Sequence, residues 1–250
     1  MTKILKWVLV FVVLISLVSN IVFAENINWY VKNNKEHKRP SLDAALSIIN
    51  QHNASYIGKD EKVIYLTFDA GYENGNVEKI LDILKKHNVK GAFFILENLI
   101  TRNTDLVKRM GDEGHLVCNH TARHKNMSLV TDKAAFEREL TLLENIYTEY
   151  TGRKLDKFYR PPEGSFNEQN LTFADEMGYK TVFWSFAYAD WDNGKQPERE
   201  FAIKKIMDHI HNGEIMLLHP TSQTNASILD EILTKLKAEG YRFGTLNELL

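Results

Sequence analysis

From residue 62 onward, short apolar runs alternate with longer stretches in which apolar positions recur every three or four residues. The short runs are typical of buried β-strands, and the longer stretches are typical of amphipathic helices. The runs that predict strands are VIYLTF (63–68), GAFFIL (91–96), HLVC (115–118), KFYR (157–160), YKTVFWS (179–185), EIMLLH (214–219) and YRFG (241–244). Helices are predicted at 77–87, 105–113, 134–150, 168–177, 198–211 and 226–238. This alternation predicts an α/β fold, in which seven strands form a barrel-like sheet covered by helices.

The first 24 residues follow a different pattern. Lys3 and Lys6 precede an almost wholly apolar run over residues 7–23, and Val22-Phe23-Ala24 places small residues at −3 and −1 of a cleavage site after Ala24. This predicts a signal peptide over 1–24, with an uncleaved membrane anchor as the alternative because the apolar run is long. In both cases we expect the remaining chain to work outside the cytoplasm, in the cell envelope.

Two further segments follow the signal peptide in the predicted organisation. Residues 25–60 are expected to form a leader that contains a short helix at 42–51, and residues 61–250 are expected to form one catalytic domain. The composition, with 44% hydrophobic and 26% charged residues, is that of an ordinary globular protein. The net charge of −2 and the lack of a basic stripe with interleaved aromatic residues argue against a nucleic-acid partner.

Five short polar motifs each follow an apolar run that predicts a strand. They are TFDAG (67–71), HTARH (120–124), RPPEG (160–164), ADW (189–191) and LLH (217–219). In parallel α/β proteins, chemistry gathers at the carboxyl ends of the strands. The five motifs are therefore expected to meet in one cleft.

His120 and His124 are four positions apart. On a helical turn this spacing directs both imidazoles to one face, where they can bind one metal ion. Imidazole suits zinc and other late divalent ions. Surface helices also carry such pairs without a metal, but the position of this pair at a strand end, opposite other polar strand ends, favours a metal site.

Asp69 and His219 each end an apolar strand, where an acid and an imidazole are placed for proton transfer. The alternatives are a turn-capping aspartate and a buried, hydrogen-bonded histidine. Arg160 precedes two prolines that stiffen the backbone, so its guanidinium could hold a carboxylate such as Asp69 or form a purely structural ion pair. Asp190 could orient a histidine or cap a loop, and Trp191 could line a small apolar pocket or pack in the core.

The complete set of motifs resembles the polysaccharide deacetylases, carbohydrate esterase family 4, over residues 60–250. The segments TFDAGYENGN, RPPEGSFN, FWSFAYADWD and LLHPTSQTNA are similar to the branch of muramic-acid de-N-acetylases that serves δ-lactam formation in spore peptidoglycan. The resemblance implies a distorted (β/α)7 barrel, in agreement with the number of predicted strands. It also implies a hydrolase that removes acetyl groups from peptidoglycan glycan strands.

The resemblance assigns a role to each motif residue. Asp69 corresponds to the general base, His219 to the general acid, Arg160 to the residue that positions Asp69, and Asp190 to the residue that tunes His219. His120 and His124 correspond to the ligands of a divalent metal, usually zinc. The substrate-binding residues implied are Trp191 and Leu217 around the acetyl methyl group, Glu163, whose backbone N–H helps bind the oxyanion, and Gly164.

One position departs from the family pattern. Most members carry a second acidic residue after the catalytic aspartate, which ligates the metal, and here that position is Ala70. The muramic branch accepts a non-acidic residue at this point, so the departure agrees with the narrower likeness. Glu163 also stands where many relatives have tyrosine.

The expected function is metal-dependent removal of acetyl from N-acetylmuramic acid residues, after loss of the stem peptide, on the route to muramic δ-lactam in the spore cortex. Three alternatives remain at this point. The chain could deacetylate N-acetylglucosamine residues of peptidoglycan or a chitin-like glycan, act on O-acetyl groups, or be a glycan-binding pseudo-enzyme that lost its metal through Ala70.

Overall fold

A computed structural model describes residues 25–32 and 36–250, so the predicted signal peptide lies outside the described residues. The strands are β1 Ile27–Asn28, β2 Ala54–Ser55, β3 Val63–Ala70, β4 Ala92–Ile95, β5 Leu116–Asn119, β6 Asp156–Tyr159, β7 Ser165–Phe166, β8 Lys180–Val182, β9 Glu214–Leu218 and β10 Arg242–Gly244. The α-helices are α1 Val77–His87, α2 Glu97–Arg102, α3 Thr104–Asp112, α4 Lys133–Thr151, α5 Glu168–Glu176, α6 Arg199–His209 and α7 Gln223–Ala238. Short 3₁₀ helices lie at Ala44–Gln51, Met127–Leu129, Pro162–Gly164 and Leu246–Leu249. Within the described ranges, no helix has the length and apolar character needed to cross a membrane.

In the part of the chain that the structure describes, eight strands form one curled sheet in which all pairings between strands are parallel. Its order is β10-β3-β4-β5-β6-β8-β2, and β9 pairs with β3. A parallel bridge between Phe186 and Met216 places the chain beyond β8 next to β9, so the sheet curves round toward closure. The predicted barrel-like α/β fold and its seven strands are confirmed, with shifts of a few residues at the strand ends.

Side-chain alternation along the strands explains why the motif residues share one cleft. In β3, Ile64, Leu66 and Phe68 pack in the outer apolar cluster beneath the helices, whereas Val63 and Tyr65 belong to the inner cluster of the barrel. Successive side chains of a strand point to opposite faces, so Asp69 continues the inner row.

The same alternation holds in the other strands that carry motifs. The inner cluster contains Cys118, Phe158 and Ile215, and an even step along each strand from these residues leads to His120, Arg160 and His219. Ala70 lies on the other face, where it is fully buried in the outer cluster.

The predicted leader is built into the domain. β2 pairs with β8 in the main sheet, and β1 pairs antiparallel with β7, directly after the RPPEG motif. Trp29, Leu46 and Ile49 are buried in an apolar cluster with aromatic residues of β7 and of the segment after β8. The sequence pattern did not predict the β1–β7 ribbon, because two-residue strands are too short to show alternation.

Candidate active site

The motifs converge on a cleft of about 650 Å³ at the carboxyl ends of the strands. Eight of the ten sequence-predicted site residues line it: Asp69, His120, His124, Glu163, Gly164, Trp191, Leu217 and His219. The other two, Arg160 and Asp190, are buried and contact lining residues directly. The structure therefore brings together all ten.

Asp69 is held by the buried guanidinium of Arg160. Arg160 Nη1 donates to Asp69 Oδ1 at 2.8 Å, Nη2 donates to Thr67 Oγ1 at 2.9 Å, and Nε donates to the carbonyl oxygen of Val182 at 3.0 Å. Burial pushes the pKa of Asp69 upward, but the charge of Arg160, with smaller contributions from His120 and His219, more than offsets it. The pKa of Asp69 consequently lies below its ordinary value, and the carboxylate is ionised at neutral pH.

His120 lies at the start of a tight turn after β5. Its Nδ1 is 2.8 Å from the carbonyl oxygen of Arg160, an acceptor, so Nδ1 carries the hydrogen and Nε2 keeps its lone pair. Burial lowers the pKa of His120 to about 4, so the ring is neutral at physiological pH.

The turn that carries His120 and His124 is not the helical turn that the spacing predicts. Thr121 and His124 have left-handed backbone conformations, with φ of 69° and 54°. The buried Asn119 fixes the turn, since its Oδ1 accepts from the N–H of Thr121 at 2.8 Å and its Nδ2 donates to Leu140 O and Tyr179 Oη. The two imidazoles still come together, with ring centroids 5.0 Å apart.

The donor atoms around His120 suit a cation. Nε2 of His120 faces Oδ2 of Asp69 at 3.5 Å, and both atoms present lone pairs. A divalent ion bound beside His120 and His124 would remove the repulsion between these two lone pairs. Ala70 supplies no donor, and across residues 25–32 and 36–250 no three His, Cys, Asp or Glu side chains form a ligand cluster. The residues therefore fit an ion bound by two imidazoles, with water or substrate in the other positions.

His219 is oriented by Asp190. Asp190 Oδ1 accepts from His219 Nδ1 at 2.7 Å, and Asp190 Oδ2 accepts from the His219 backbone N–H at 2.8 Å. This leaves Nε2 for exchange of a proton in the cleft. Burial lowers the pKa of His219, but the hydrogen bond and charge of Asp190, together with the charge of Asp69, raise it above the ordinary value overall.

Asn225 is a member of this network that sequence reasoning missed. It is fully buried at the start of α7, and its Nδ2 donates to Asp190 Oδ2 at 2.6 Å and to the carbonyl oxygen of His219 at 3.1 Å. Tyr188 in turn donates its hydroxyl to Asn225 Oδ1. Asn225 lies within LLHPTSQTNA, six residues after His219, and the only signal in the sequence was this proximity.

The two apolar substrate positions differ in exposure. Leu217 is buried at the end of β9, whereas Trp191 is 59% exposed, with its ring centroid 6.1 Å from that of His219. Trp191 thus forms an open wall of the cleft. Tyr72, on the loop after β3, is also exposed and lines the cleft.

Comparison with known proteins places this chain in a family. A family profile described as polysaccharide deacetylase matches residues 57–182. The chain is 40% identical over 228 residues to the peptidoglycan-N-acetylmuramic acid deacetylase PdaA of Bacillus subtilis, which covers 90% of this chain and 86% of PdaA. The solved structure of PdaA, a family 4 carbohydrate esterase, superposes with a TM-score of 0.86 at 39% identity, covering 90% of this chain and 97% of PdaA.

Two other relatives are a deacetylase of N-acetylglucosamine residues and a pseudoenzyme. The peptidoglycan-N-acetylglucosamine deacetylase PgdA of Listeria monocytogenes is 36% identical over 191 residues, which are 76% of this chain and 39% of PgdA. A family 4 pseudoenzyme from Bacillus anthracis superposes with a TM-score of 0.72 at 31% identity, covering 78% of this chain and 68% of the pseudoenzyme.

Proposed function

Because the chain belongs to the polysaccharide deacetylases of carbohydrate esterase family 4, which hydrolyse amide bonds, we propose that it removes acetyl from N-acetylmuramic acid residues of peptidoglycan. The observation that carries the proposal is a pair of oppositely tuned groups lining one cleft, with the pKa of Asp69 lowered and that of His219 raised. Such a pair supplies a base and an acid at the same pH. The similarity to PdaA supports the muramic substrate.

Hydrolysis of an acetamide requires a base for the attacking water, stabilisation of the developing oxyanion, and an acid for the departing amine. Asp69 stays ionised beside Arg160 and accepts the proton from water. His219, held through Nδ1 by Asp190, donates a proton from Nε2 to the amine nitrogen. The backbone N–H of Glu163 is the proposed donor to the oxyanion. Leu217 and Trp191 are proposed to enclose the acetyl methyl group.

His120 and His124 would hold a divalent ion, for which zinc is the proposed identity. The chemistry that such an ion supplies when bound is acidification of a water molecule and polarisation of the acetyl carbonyl. Asp69 lies beside this metal site, with its Oδ2 3.5 Å from Nε2 of His120.

The proposed place of the reaction is the cell envelope, where the substrate is a peptidoglycan strand. Once the stem peptide has been removed, the free amine on muramic acid can condense with the lactyl carboxyl of the same sugar, forming the lactam C–N bond as the acyl C–O bond breaks and one water is released. The product therefore suits the formation of muramic δ-lactam, and the resemblance of the motif segments to the muramic branch of the family is the basis for proposing a role in the spore cortex.

Acetate release from peptidoglycan glycan strands tests this function. The wild-type chain and Asp69→Asn would be assayed on peptide-free and peptide-bearing strands, with added zinc and with a chelator. We expect metal-dependent release from peptide-free strands that Asp69→Asn abolishes. Folded protein that releases no acetate under any metal would reject the deacetylase function and favour glycan binding without catalysis.

The second candidate function is deacetylation of N-acetylglucosamine residues, which the similarity to PgdA supports. Enzymatic digestion of the treated strands followed by fragmentation mass spectrometry identifies which amino sugar has lost its acetyl group. Glucosamine without muramic-acid product would replace the muramic proposal with this one. Release of acetate from O-acetylated strands alone would indicate an esterase.

A further inference from the structure

The loop that carries Glu163 and Gly164 is held by the segment that precedes the barrel. β1 pairs with β7, with Ile27 opposite Phe166 and Asn28 opposite Ser165. The N–H of Trp29 donates to the carbonyl oxygen of Gly164 at 2.8 Å. Ser165 Oγ donates to Asn28 Oδ1 at 2.7 Å.

Trp29 also contacts the opposite side of the site. Its ring stacks on Phe183 with centroids 4.4 Å apart, and its Nε1 donates to the carbonyl oxygen of Trp184 at 3.0 Å. The carbonyl oxygens of Val182 and Phe183 accept hydrogen bonds from Arg160, which holds Asp69. Trp29 therefore connects the Glu163–Gly164 loop to the strand segment behind the Arg160–Asp69 pair.

The loop needs such support because its backbone is unfavourable. Glu163 has φ of 60° and Gly164 has φ of 66°, both in the left-handed region. A non-glycine residue holds this conformation only where its surroundings determine it. A Cβ atom on Gly164 would lie 2.9 Å from Cβ of Trp29 and 2.8 Å from the Trp184 ring, so Trp29 and Trp184 pack too closely against this glycine for any side chain to fit.

We propose that β1 and Trp29 act as positioning residues for catalysis, by fixing the Glu163–Gly164 backbone at the place where the oxyanion develops. The inference rests on the proposed function, which puts the Glu163 N–H beside the acetyl carbonyl. A donor to the oxyanion acts only in the transition state, and displacement of a catalytic group by about 1 Å costs roughly 10²-fold in rate. We call the contacts that β1 and Trp29 make with this loop the brace. Weakening the brace therefore lowers kcat and leaves KM nearly unchanged.

The test compares Trp29→Phe with Leu46→Ala in the full chain. Trp29→Phe keeps an aromatic ring on Phe183 but loses the Nε1 hydrogen bond to Trp184, whereas Leu46→Ala opens a cavity in the same apolar cluster without removing any side-chain hydrogen bond. We expect kcat to fall about 10-fold in Trp29→Phe, with KM within about 2-fold. Leu46→Ala should keep wild-type kcat below its melting temperature, although it is the less stable of the two.

Asn28 provides a second test with a conservative rescue. Asn28→Ala removes the acceptor for Ser165 Oγ, and Asn28→Asp keeps one. We expect kcat about 3-fold lower in Asn28→Ala and near wild type in Asn28→Asp, since the hydrogen bond is a modest one.

Two outcomes overturn the inference while leaving the proposed function intact. The first is a wild-type kcat in both Trp29→Phe and Asn28→Ala. The second is a loss of kcat that follows the melting temperature equally in all variants, Leu46→Ala included. If instead the wild-type chain releases no acetate, the proposed function itself fails.

Discussion

Arg160 is the most heavily bonded side chain of the site. It is completely buried and donates to Asp69 and Thr67. It also donates to the main-chain carbonyl oxygens of Val182, at the end of β8, and of Phe183, the next residue. Its guanidinium also lies over the ring of Phe94, 4.2 Å from the centroid. A lysine ammonium cannot reproduce this planar set of donors. The fold and the ionisation of Asp69 therefore depend on the same group.

We expect Arg160→Lys to lower the free energy of unfolding by about 2–4 kcal/mol, because buried acceptors lose their partners. Activity should fall at least about 100-fold as Asp69 loses its orientation. Urea denaturation and acetate release measure the two effects. Arg109→Lys, at a more exposed ion pair with Asp82 and Glu113, is the matched control and should cost under about 1 kcal/mol. Equal losses in the two variants would contradict the assignment.

We expect Asp190 to set the alkaline limit of activity through His219. Its hydrogen bond and charge raise the pKa of His219, so the imidazole keeps its proton to higher pH than an isolated histidine. In Asp190→Asn the pKa of His219 should fall, and the alkaline limb of the kcat/KM profile should move to lower pH. The raised pKa of His219 stabilises the folded protein at pH values below the ordinary histidine pKa, and this stabilisation is lost as the pH rises through the raised pKa. Asp190→Asn should remove this contribution to the free energy of unfolding.

The pH profile of kcat/KM checks this expectation, and the exposed Asp192→Asn serves as the control. Asp192 lies two residues further along the same loop, where its Oδ1 caps the N–H of Gly194. An unmoved alkaline limb in Asp190→Asn would exclude His219 as the acid.

Individual site residues were predictable where they end an apolar strand. The inner row that runs from Val63 to Asp69 can be traced by counting every second residue, and this count needs no three-dimensional information. Asn225 and Asn119 could not be found in this way, since Asn225 acts through a hydrogen bond to the carboxylate of Asp190, 35 positions away, and Asn119 through one to the backbone of Leu140. Such partners become visible only when the elements are assembled.

The turn after β5 brings His120 and His124 together, as the sequence predicts, but with a backbone conformation that the sequence did not predict. The spacing of His120 and His124 predicts a helical turn, but Thr121 has φ of 69°, which interrupts any helix. Asn119 compensates by accepting from the N–H of Thr121, and Thr121 Oγ1 accepts from the N–H of His124. Local propensity alone would not favour a β-branched residue at this position.

Asn119→Ala should therefore loosen the histidine pair. We expect zinc affinity to fall about 10- to 100-fold, as is usual when the support of a ligand is removed, and stability to fall by about 1–3 kcal/mol. Isothermal titration with zinc gives the affinity. Asn170→Ala, which removes a buried hydrogen bond to Val130, is the control for stability alone. The expectation fails if both variants bind zinc as the wild type does.

The whole chain from residue 25 onward, apart from the undescribed residues 33–35, contributes to one fold. The sequence predicts a leader over residues 25–60, and in the structure β2 of this segment extends the main sheet while Trp29, Leu46 and Ile49 are buried. Such docking depends on contacts with β7 and β8, more than 100 residues away, and no local pattern encodes it.

A 61–250 fragment should consequently be much less stable than a 25–250 fragment, because it exposes Phe166, Leu171 and Phe183. We expect a loss of at least about 5 kcal/mol, since burial of one large apolar side chain contributes about 1.5–3 kcal/mol. Thermal melting followed by circular dichroism compares the two. Equal melting temperatures would show that residues 25–60 are dispensable for the fold.

The brace formed by β1 has a consequence for how the protein matures. Asn28 contacts Ser165 across 137 positions, and β3, which carries Asp69, pairs with β10 at the far end of the chain. Contacts of such long range form late in folding, because the intervening chain must first be ordered. A chain that leaves the cytoplasm from its N-terminus would thus remain inert in transit and gain activity only when its last strand has emerged. Completion of the fold would itself switch the site on.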